Sequence, residues 1–509
     1  MLARLHSVTL EGIEGVICEV EVDVARGGLE KSLIVGLPDA AVKESIERVK
    51  SAIINSGYKY PKTQSLVNLA PADVKKVGPA FDLPIALGML IGQGTLVNPS
   101  TKDFIIVGEL ALDGRVRPVN GVLSMAMTAA ASGFSRMIVP LDNAKEAAVV
   151  ADIEVYGVGS LTQAASFLAG QLVLETATIN IDEIFNVASN YEVDFADVKG
   201  QESVKRALTV AAAGGHNIMM IGPPGAGKTM LAQRLATILP SLSLQESLET
   251  TRIYSSVGLL GKNRALLATR PVRMPHHSAS GPALIGGGTT PRPGELSLAH
   301  FGILFLDEFV EFPRHVLEMI RQPLEEGFVI VSRAKKTVRF PAEFMLVAAM
   351  NPCPCGYFGT DARRCKCTPG QIERYLSKVS GPLVDRIDIH IDVPAVTFSK
   401  LRSRSSQLDS ATIRADVLRA REIQVRRFGD GKITTNARMI HKQVRKFCEL
   451  DSASEMLLKQ AMTELGLSAR AHDKICKVAR TVADLAGQEN IRPEHVAEAV
   501  SYRKLDRKL

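Results

Sequence analysis

The 509-residue sequence contains no tryptophan, and aromatic residues make up only 5% of it. This scarcity argues against rows of stacked aromatic rings as the main means of holding single-stranded nucleic acid. The chain also lacks any apolar run near the roughly 20 residues that a membrane-spanning helix requires, and it begins without the basic and apolar regions of a signal peptide. We therefore expect a soluble, cytoplasmic protein whose seven cysteines are reduced thiols or metal ligands.

The length of the chain limits the number of domains, whereas its net charge says little about its partners. A chain of 509 residues is too long for one hydrophobic core, so roughly two to four domains are expected. The formal net charge of +7 fits binding to a polyanion, but many proteins that bind no polyanion carry a similar excess. Charge alone therefore does not identify a partner.

Hydrophobic patterning divides the chain into four zones. Residues 1–170 alternate short apolar runs with helical stretches such as Ala40–Asn55 and predict an α+β domain, whereas residues 171–193 keep neither periodicity and predict a linker. Residues 194–394 alternate apolar strands, glycine turns and helices, the pattern of an α/β core with a parallel sheet. Residues 395–509 predict an all-α domain. Its helices are expected near Ser410–Phe428, Met439–Glu449, Ala453–Leu465, Ser468–Ala486 and Arg492–Tyr502.

A buried strand, Ile218–Ile221, leads into a glycine-rich loop and then into a helix. This order of strand, loop and helix is the setting that a P-loop requires. The glycines let backbone N–H groups converge on phosphate oxygens, Lys228 can reach the β- and γ-phosphates, and the Thr229 hydroxyl can ligate Mg²⁺. A glycine-rich turn without a ligand is the alternative. The predicted nucleotide-binding loop comprises Gly222, Pro223, Pro224, Gly225, Ala226, Gly227, Lys228 and Thr229.

Two more apolar strands end in polar residues. Ile303–Leu306 precedes two acids, and there Asp307 could hold Mg²⁺ while Glu308 polarises the attacking water as general base. Phe344–Met350 stops at Asn351, whose amide could orient that water, as the sensor-1 residue does in AAA+ proteins. A solvent-facing acid pair and a turn asparagine before proline are the alternatives. The motifs together predict an ATPase that uses ATP and Mg²⁺.

Four of the cysteines fall on one short loop directly after this strand. Cys353 and Cys355 form one CxC pair, and Cys365 and Cys367 form a second. Four thiolates on one loop can close a tetrahedral Zn²⁺ shell, and such a saturated site would be structural. Free thiols are the alternative, because the spacing is less familiar than that of CxxC pairs.

Two arginines resemble residues that link subunits and domains in AAA+ proteins. Arg386 stands where the magnesium-chelatase-like branch carries an arginine finger, which acts on the γ-phosphate of the neighbouring subunit and implies a homo-oligomer, by resemblance a hexameric ring. Arg470, at the start of a C-terminal helix, resembles the sensor-2 arginine that couples nucleotide state to the angle of the lid. A surface ion pair is the alternative for each arginine.

Over nearly its full length the sequence resembles the ComM/YifB family of magnesium-chelatase-like AAA+ proteins. The resemblance implies a helix-2 insert at 274–293, a presensor-1 hairpin at 327–341, a four-cysteine knuckle at 353–367 and a helical lid at 395–509. The implied activity is that of a DNA helicase driving branch migration in recombination and natural transformation, with single-stranded or branched DNA as partner. Besides the nucleotide motifs, the segments that carry this resemblance are Pro275–Ser278, Gly286–Gly288, Arg292–Ser297, Asn351–Gly356 and Ala469–Arg470.

The presensor segment reads as two short strands joined by a basic turn. Its positive side chains could hold DNA phosphates through electrostatics that are independent of sequence. A solvated hairpin tip is the alternative. The candidate DNA contacts are Arg333, Lys335, Lys336 and Arg339.

Residues 1–170 resemble the Lon-type protease fold that occurs at this end of the family, through Lys76–Ile85 and Gly108–Arg117. Ala80 stands where the protease pattern has its serine nucleophile, and Leu123 stands where it has a lysine. Without these two groups the Ser–Lys mechanism has no chemistry to run. The domain is therefore predicted to be an inactive scaffold.

Two other functions stay open beside the DNA translocase. A metal-insertion motor is one, because the magnesium-chelatase ATPase subunit shares this AAA+ branch, although no porphyrin or chelating site is evident. A protein remodeller is the other, although the usual aromatic–hydrophobic pore dipeptide is not seen.

Overall fold

The computed structural model describes residues 1–27, 29–97, 99–187, 191–261, 264–288, 290–333, 336–360, 363–396, 408–429 and 435–503. Two compact units are present. The first comprises Met1–Val187 with Ser243–Ala268, and the second comprises Ala188–Leu242 with Thr269–Leu509. The segment Ser243–Ala268 therefore belongs to the first unit, although it lies inside the α/β region expected at 194–394.

A seven-stranded mixed sheet organises the first unit, in the order β3-β4-β2-β1-β5-β8-β9. Strand β2 pairs antiparallel with β1 and β4, whereas the pairs β3–β4, β1–β5, β5–β8 and β8–β9 are parallel. The strands β6 and β7 form a separate antiparallel pair. The bounds are β1 Leu2–Glu11, β2 Glu14–Val24, β3 Lys31–Val35, β4 Gln64–Ala70, β5 Phe104–Ile106, β6 Glu109–Leu110, β7 Val116–Arg117, β8 Arg136–Pro140 and β9 Glu154–Val158.

Helices pack on this sheet, and both strands and helices supply the core of the first unit. Ala40–Asn55 has the bounds expected from its sequence and is capped by Asp39, whose carboxylate accepts a hydrogen bond from the N–H of Val42. Asp82–Gly92 is buried on every side, as expected of a helix that is apolar all round. The other helices are Val122–Ala131, Ala144–Ala147, Leu161–Leu168, Ile181–Val187 and Leu244–Ser256.

A five-stranded parallel sheet lies at the centre of the second unit, in the order β11-β14-β17-β10-β18. Every residue of β10, β14 and β17 is buried, as expected when both faces of a parallel sheet are covered. Because parallel strands end at one edge, the residues that follow these three strands come together there. The bounds are β10 Ile218–Ile221, β11 Val272–Arg273, β14 Ile303–Leu306, β17 Met345–Met350 and β18 Ile389–Asp392.

Two hairpins and a helical region complete the second unit. One hairpin joins β12 (Gly286–Gly287) to β13 (Arg292–Pro293), and the other joins β15 (Phe328–Arg333) to β16 (Lys336–Pro341). One hydrophobic core contains residues of the sheet together with residues of the C-terminal helices. The helices are Glu202–Gly214, Lys228–Ile238, Gly281–Ile285, Glu295–Leu298, Arg314–Met319, Arg321–Glu326, Pro369–Leu376, Gly381–Val384, Ser410–Phe428, His441–Phe447, Ser452–Leu465, Ala469–Leu485 and Pro493–Ser501.

Across the described ranges of both units, every helix is too short or too polar to span a bilayer.

Candidate functional site

The loop after β10 has a backbone suited to phosphate. Gly225 and Gly227 have φ angles of +76° and +87°, in the left-handed region that glycine enters without a steric penalty. The helix Lys228–Ile238 begins directly after Gly227. Its first backbone N–H groups have no acceptor within the helix, and together with the helix dipole they favour an anion at this end.

Lys228 is buried at the centre of the site. Its Nζ donates to the carbonyl oxygens of Gly222 at 2.8 Å and Pro223 at 3.1 Å, and to Oδ1 of Asn351 at 3.2 Å. Burial lowers the pKa of Lys228, and the nearby charge of Asp307 acts in the opposite direction. The three acceptors are uncharged, so none of them neutralises the positive charge that the protonated amine can offer to a phosphate.

Thr229 and Asp307 meet beside this lysine. The Thr229 hydroxyl donates to Oδ2 of Asp307 at 2.7 Å, which joins the start of the helix to the end of β14. A hydroxyl and a carboxylate are oxygen donors of the kind that Mg²⁺ prefers. The pair therefore fits a Mg²⁺ ion that also contacts bound phosphate.

Glu308 adopts a backbone conformation that is uncommon outside glycine. Its φ is +51°, in the left-handed region, and its side chain is 56% exposed. The carboxylate atom Oε2 lies 3.0 Å from Nδ1 of His277. His277 belongs to the segment 274–293, and the sequence pattern did not identify it as a partner of the predicted base.

Tyr375 is a second neighbour that sequence reasoning missed. Burial raises the pKa of Tyr375 to about 12, the charges of Glu311 and Glu308 act in the same direction, and a hydrogen bond with the backbone of Asn351 opposes them. The phenol therefore stays protonated at neutral pH. No sequence signal could have found this contact, because it depends on how the helix Pro369–Leu376 packs.

The four-cysteine loop brings its sulfur atoms into one cluster. The Sγ of Cys353 lies 3.4 Å from that of Cys355 and 3.8 Å from that of Cys365, and the Cys355–Cys365 distance is 3.6 Å. These three sulfurs and the sulfur of Cys367 all lie within 4.8 Å of one another. A tetrahedron of Zn–S bonds of about 2.3 Å separates the sulfurs by about 3.8 Å. The cluster therefore fits a tetrahedral metal shell, and none of the four residues forms a disulfide bond.

The same loop packs on the phosphate loop. Gly356 has a φ of +85°, and a Cβ at this position would lie 2.7 Å from Cδ of Pro224. Cys353 is fully buried two residues after Asn351. The cysteine cluster and Asn351, which accepts a hydrogen bond from Lys228, therefore share one short segment of chain.

Arg386 makes its contacts away from these residues. Its Nη2 pairs with Oε1 of Glu325 at 2.6 Å, and its Nη1 donates to the carbonyl of Pro382 at 2.6 Å. Its Nε is buried without a hydrogen-bond partner among the described residues. The ion pair considered as an alternative is present, and the role of Arg386 as a finger toward a neighbouring subunit stays a prediction.

Arg470 is exposed at the start of the helix Ala469–Leu485. It lines an open cavity of about 880 Å³ in the C-terminal helical region, together with His441, Arg445 and Asp473. Among the described residues it forms no hydrogen bond or ion pair with Lys228. Its sensor-2 role stays a prediction.

The hairpin of β15 and β16 occupies the predicted segment 327–341. The guanidinium carbon of Arg339 lies 3.4 Å from the ring centroid of Phe328, within the range of a cation–π contact. Lys335 falls outside the described residues, as do the side chains of Arg333 and Lys336. The DNA contacts of this hairpin therefore stay predictions.

The first unit carries apolar side chains at the two positions where a Lon-type site would be. Ala80 is 6% exposed and Leu123 is fully buried. The N–H of Leu123 donates to Oε1 of Glu146 at 2.9 Å. Neither side chain offers a nucleophile or an amine, and the Lon-type likeness itself stays a prediction.

Three family models match successive parts of the chain. They are described as subunit ChlI of Mg-chelatase, over residues 20–143, magnesium chelatase subunit ChlI, over residues 194–401, and magnesium chelatase subunit ChlI C-terminal, over residues 407–503. These matches cover parts of both compact units. The sheet that carries the phosphate loop lies within the second match.

Similarity to individual proteins extends from end to end. The competence protein ComM of Haemophilus influenzae is 45% identical over 511 residues, which cover 100% of this chain and 98% of ComM. The uncharacterized protein YifB of Salmonella typhimurium is 42% identical over 510 residues, with the same coverage of 100% and 98%. The magnesium-chelatase 38 kDa subunit of Rhodobacter capsulatus is 27% identical over 177 residues, which cover 31% of this chain and 50% of that subunit.

The full-length matches distinguish one group of relatives from the other. Similarity to the chelatase subunit covers less than a third of the chain, whereas ComM and YifB align with all of it. The chain therefore belongs to the ComM/YifB family of magnesium-chelatase-like AAA+ proteins.

Proposed function

We propose that this protein is an ATP-driven DNA translocase, acting in the cytoplasm as a hexameric homo-oligomer that promotes branch migration in recombination and natural transformation. The observation that carries the ATPase part is the convergence of Lys228, Thr229, Asp307 and Asn351 at one edge of the parallel sheet, with Glu308 beside them. Full-length similarity to a protein named for competence and the net charge of +7 support the DNA part.

Each residue of the site has a distinct task in hydrolysis. Lys228 and the loop N–H groups bind the β- and γ-phosphates. When bound through Thr229 and Asp307, Mg²⁺ supplies charge neutralisation for the phosphate oxygens. Glu308 takes a proton from water as the water oxygen bonds to the γ-phosphorus, and the bond from that phosphorus to the bridging oxygen breaks, which releases ADP. Asn351 orients the water.

In this proposal two arginines link the nucleotide site to the neighbouring subunit and to the helical lid. Arg386 of one subunit stabilises charge on the γ-phosphate of its neighbour, a contribution of about 10³–10⁵ in rate in related chemistry. Release from Glu325 would free its Nη2 for that task. Arg470 links nucleotide state to motion of the helical lid.

The remaining parts act as pore elements and supports. The insert at 274–293 and the hairpin at 327–341 grip DNA phosphates without reading sequence. Zn²⁺ on the four cysteines stabilises the loop that follows Asn351. The first unit is a Lon-type scaffold without protease activity, because Ala80 and Leu123 replace the reacting groups.

A metal-insertion motor is the rival proposal, and the partial similarity to the magnesium-chelatase 38 kDa subunit favours it. A protein remodeller uses the same nucleotide chemistry and stays a second rival. All three predict ATP hydrolysis, and they differ in what stimulates it.

The deciding experiment is a steady-state ATPase assay with no DNA, single-stranded DNA and forked DNA, each at low and high salt. Strong stimulation that salt weakens is expected, because contacts to phosphates release counterions. A rate that no DNA changes would leave the nucleotide site intact and contradict the translocase proposal. Lys228→Ala should show no turnover under any condition, which excludes a contaminating ATPase.

A further inference from the structure

We infer that Lys474 is a positioning residue for Arg386, because its ion pair attaches the segment that carries Arg386 to the helix that carries Arg470. The inference rests on the finger role proposed for Arg386. Residues 381–388, which form the finger segment, are thereby held against the helix Ala469–Leu485. The two arginines consequently keep a fixed separation.

The ion pair lies at the end of the finger segment. Nζ of Lys474 lies 2.5 Å from Oδ1 of Asp388. Only 9% of the Asp388 side chain and 18% of the Lys474 side chain are exposed. Water screens such a pair poorly, and either charge left alone inside the protein is costly. The two groups therefore resist separation.

Asp388 is also attached to the residue that precedes the central strand β10. Its N–H donates to the carbonyl of Asn217 at 3.0 Å, and its Oδ2 accepts the N–H of Asn217 at 3.3 Å. Asn217 is followed directly by β10, which leads into the phosphate loop. Asp388 therefore joins the central sheet to the helix Ala469–Leu485 at the end of the finger segment.

Short stretches of chain connect the ion pair with both arginines. Asp388 is two residues after Arg386, and Lys474 is four residues after Arg470. In an α-helix, residues four positions apart lie on one face and about 6 Å apart along the axis. Loss of the ion pair should therefore release Arg386 from the helix that carries Arg470.

A second contact should keep the finger segment folded when Lys474 is replaced. Nη1 of Arg503, a residue that is 1% exposed, donates to the carbonyl oxygen of Ile387. This bond ends on the backbone and does not depend on the charge of Asp388. A substitution of Lys474 can therefore change the position of the segment without unfolding it.

The first test measures kcat for ATP hydrolysis and the Kd for ATP in the full chain. Lys474→Met should lower kcat about 10- to 100-fold, because a displacement of about 1 Å at a positioned group can cost about 100-fold. The Kd for ATP should stay unchanged. Lys474→Arg, which keeps the cation, should retain most of the wild-type rate. Asp388→Asn breaks the pair from its other side and should reproduce the loss.

Lys477→Met is the matched control. Lys477 lies in the same helix, and its Nζ donates to the carbonyl oxygen of Ala437 at 3.1 Å. This variant removes an ammonium group from the helix and leaves the ion pair of Lys474 in place, so it should keep the wild-type kcat. A wild-type kcat in Lys474→Met, together with a strong loss in Arg386→Ala, would overturn the inference and leave the proposed finger intact.

A double variant separates positioning of Arg386 from a general loss of structure. A residue that acts only through Arg386 has nothing left to position once that arginine is removed. Arg386→Ala combined with Lys474→Met should therefore hydrolyse ATP at the rate of Arg386→Ala alone, whereas independent effects would multiply. A rate equal to the product of the two single losses would contradict the inference.

Amide hydrogen exchange tests the attachment without reference to hydrolysis. In Lys474→Met the amides of residues 381–388 should exchange at least about tenfold faster than in the wild type, whereas Lys477→Met should leave them unchanged. Equal exchange in the wild type and Lys474→Met would overturn the inference. If Arg386→Ala hydrolyses ATP normally, the proposed finger role fails, and faster exchange in Lys474→Met would still support the attachment.

Discussion

The two compact units differ most at the places where each resemblance expects chemistry. In the second unit, Lys228, Thr229 and Asp307 are joined by hydrogen bonds or charge at one sheet edge. In the first unit, Ala80 and Leu123 are buried among apolar groups. The difference teaches that a framework of sheet and helices does not by itself supply reacting groups, so function has to be argued from side chains.

The pKa shifts of two buried carboxyl groups also differ between the two units. Burial raises the pKa of Glu146 in the first unit, where its hydrogen-bond donors are the neutral Ser255, Leu123 and Asn143. Burial also acts to raise the pKa of Asp388 in the second unit, but Lys474, 2.5 Å from Oδ1, holds it well below its usual range. The pKa of a buried carboxyl thus rises or falls according to whether a cation faces it.

Removal of Lys228 should abolish the hydrolysis proposed for the second unit. Lys228→Ala should lower the ATPase rate at least about 10³-fold, because the phosphates lose their main positive partner. Steady-state phosphate release measures the effect. Lys459→Ala, at an exposed lysine of the same unit, should keep the wild-type rate, and comparable activity in both variants would contradict the assignment.

Substitution of Arg386 tests whether one chain by itself supplies every residue that hydrolysis requires. Arg386→Ala should lose about 10³-fold or more in hydrolysis while nucleotide binding persists, because the finger acts on charge in the transition state. A mixture of Arg386→Ala with Lys228→Ala should regain part of the rate, since each supplies what the other lacks. Glu325→Gln, which removes the paired carboxylate and keeps the arginine, is the control that should stay active.

We expect the four-cysteine loop of the second unit to bind a metal ion, and we expect no bound metal in the first unit. We expect about one zinc per chain by elemental analysis, and Cys365→Ser should lose it and unfold at a lower temperature. Cys18→Ala, in the first unit, should keep the zinc even if burial of this residue makes the variant less stable. Zinc retained in Cys365→Ser would refute the site.

Acid should destabilise the second unit through His216. Burial lowers the pKa of His216 despite its contact with Asp388, so below about pH 6.5 this residue binds more protons in the unfolded chain than in the folded chain. The free energy of unfolding should therefore fall by up to about 1.4 kcal/mol per pH unit below that point. Urea midpoints between pH 7.5 and 5.5 measure the slope, and His216→Gln should flatten it.

The smallest effect is expected from returning a nucleophile to the first unit. Ala80→Ser should leave the ATPase rate unchanged and should cleave no protein substrate, because Leu123 supplies no amine to activate the hydroxyl. A casein-cleavage assay checks this expectation. Measurable proteolysis would contradict the prediction that the first unit is a scaffold without protease chemistry.

Short elements followed closely from the sequence. The strands Ile218–Ile221 and Ile303–Leu306 and the helix Ser410–Phe428 have the predicted bounds, because runs of apolar residues and helical spacing act over a few positions. The parallel sheet was predicted from the alternation of strands and helices, and the structure confirms it. The residues that follow β10, β14 and β17 lie near one another because parallel strands end at one edge of the sheet.

Contacts between distant segments were beyond the sequence. The segment Ser243–Ala268 was expected in the α/β core, but it packs in the first unit, where Arg252 pairs with Glu14 at 2.6 Å. The ion pair of Arg386 with Glu325 was an open alternative until the fold brought the two together. Such pairs join residues that no local periodicity connects.

The sequence by itself determined the phosphate loop, the acids after β14, the cysteine array and the missing groups at Ala80 and Leu123, because each is a local pattern of residue types. Only the tertiary structure decided that His277 meets Glu308, that Tyr375 approaches Asn351 and that the cysteine loop packs on the phosphate loop. The physical reason is that these contacts depend on how separate elements pack, and packing is set by the whole core.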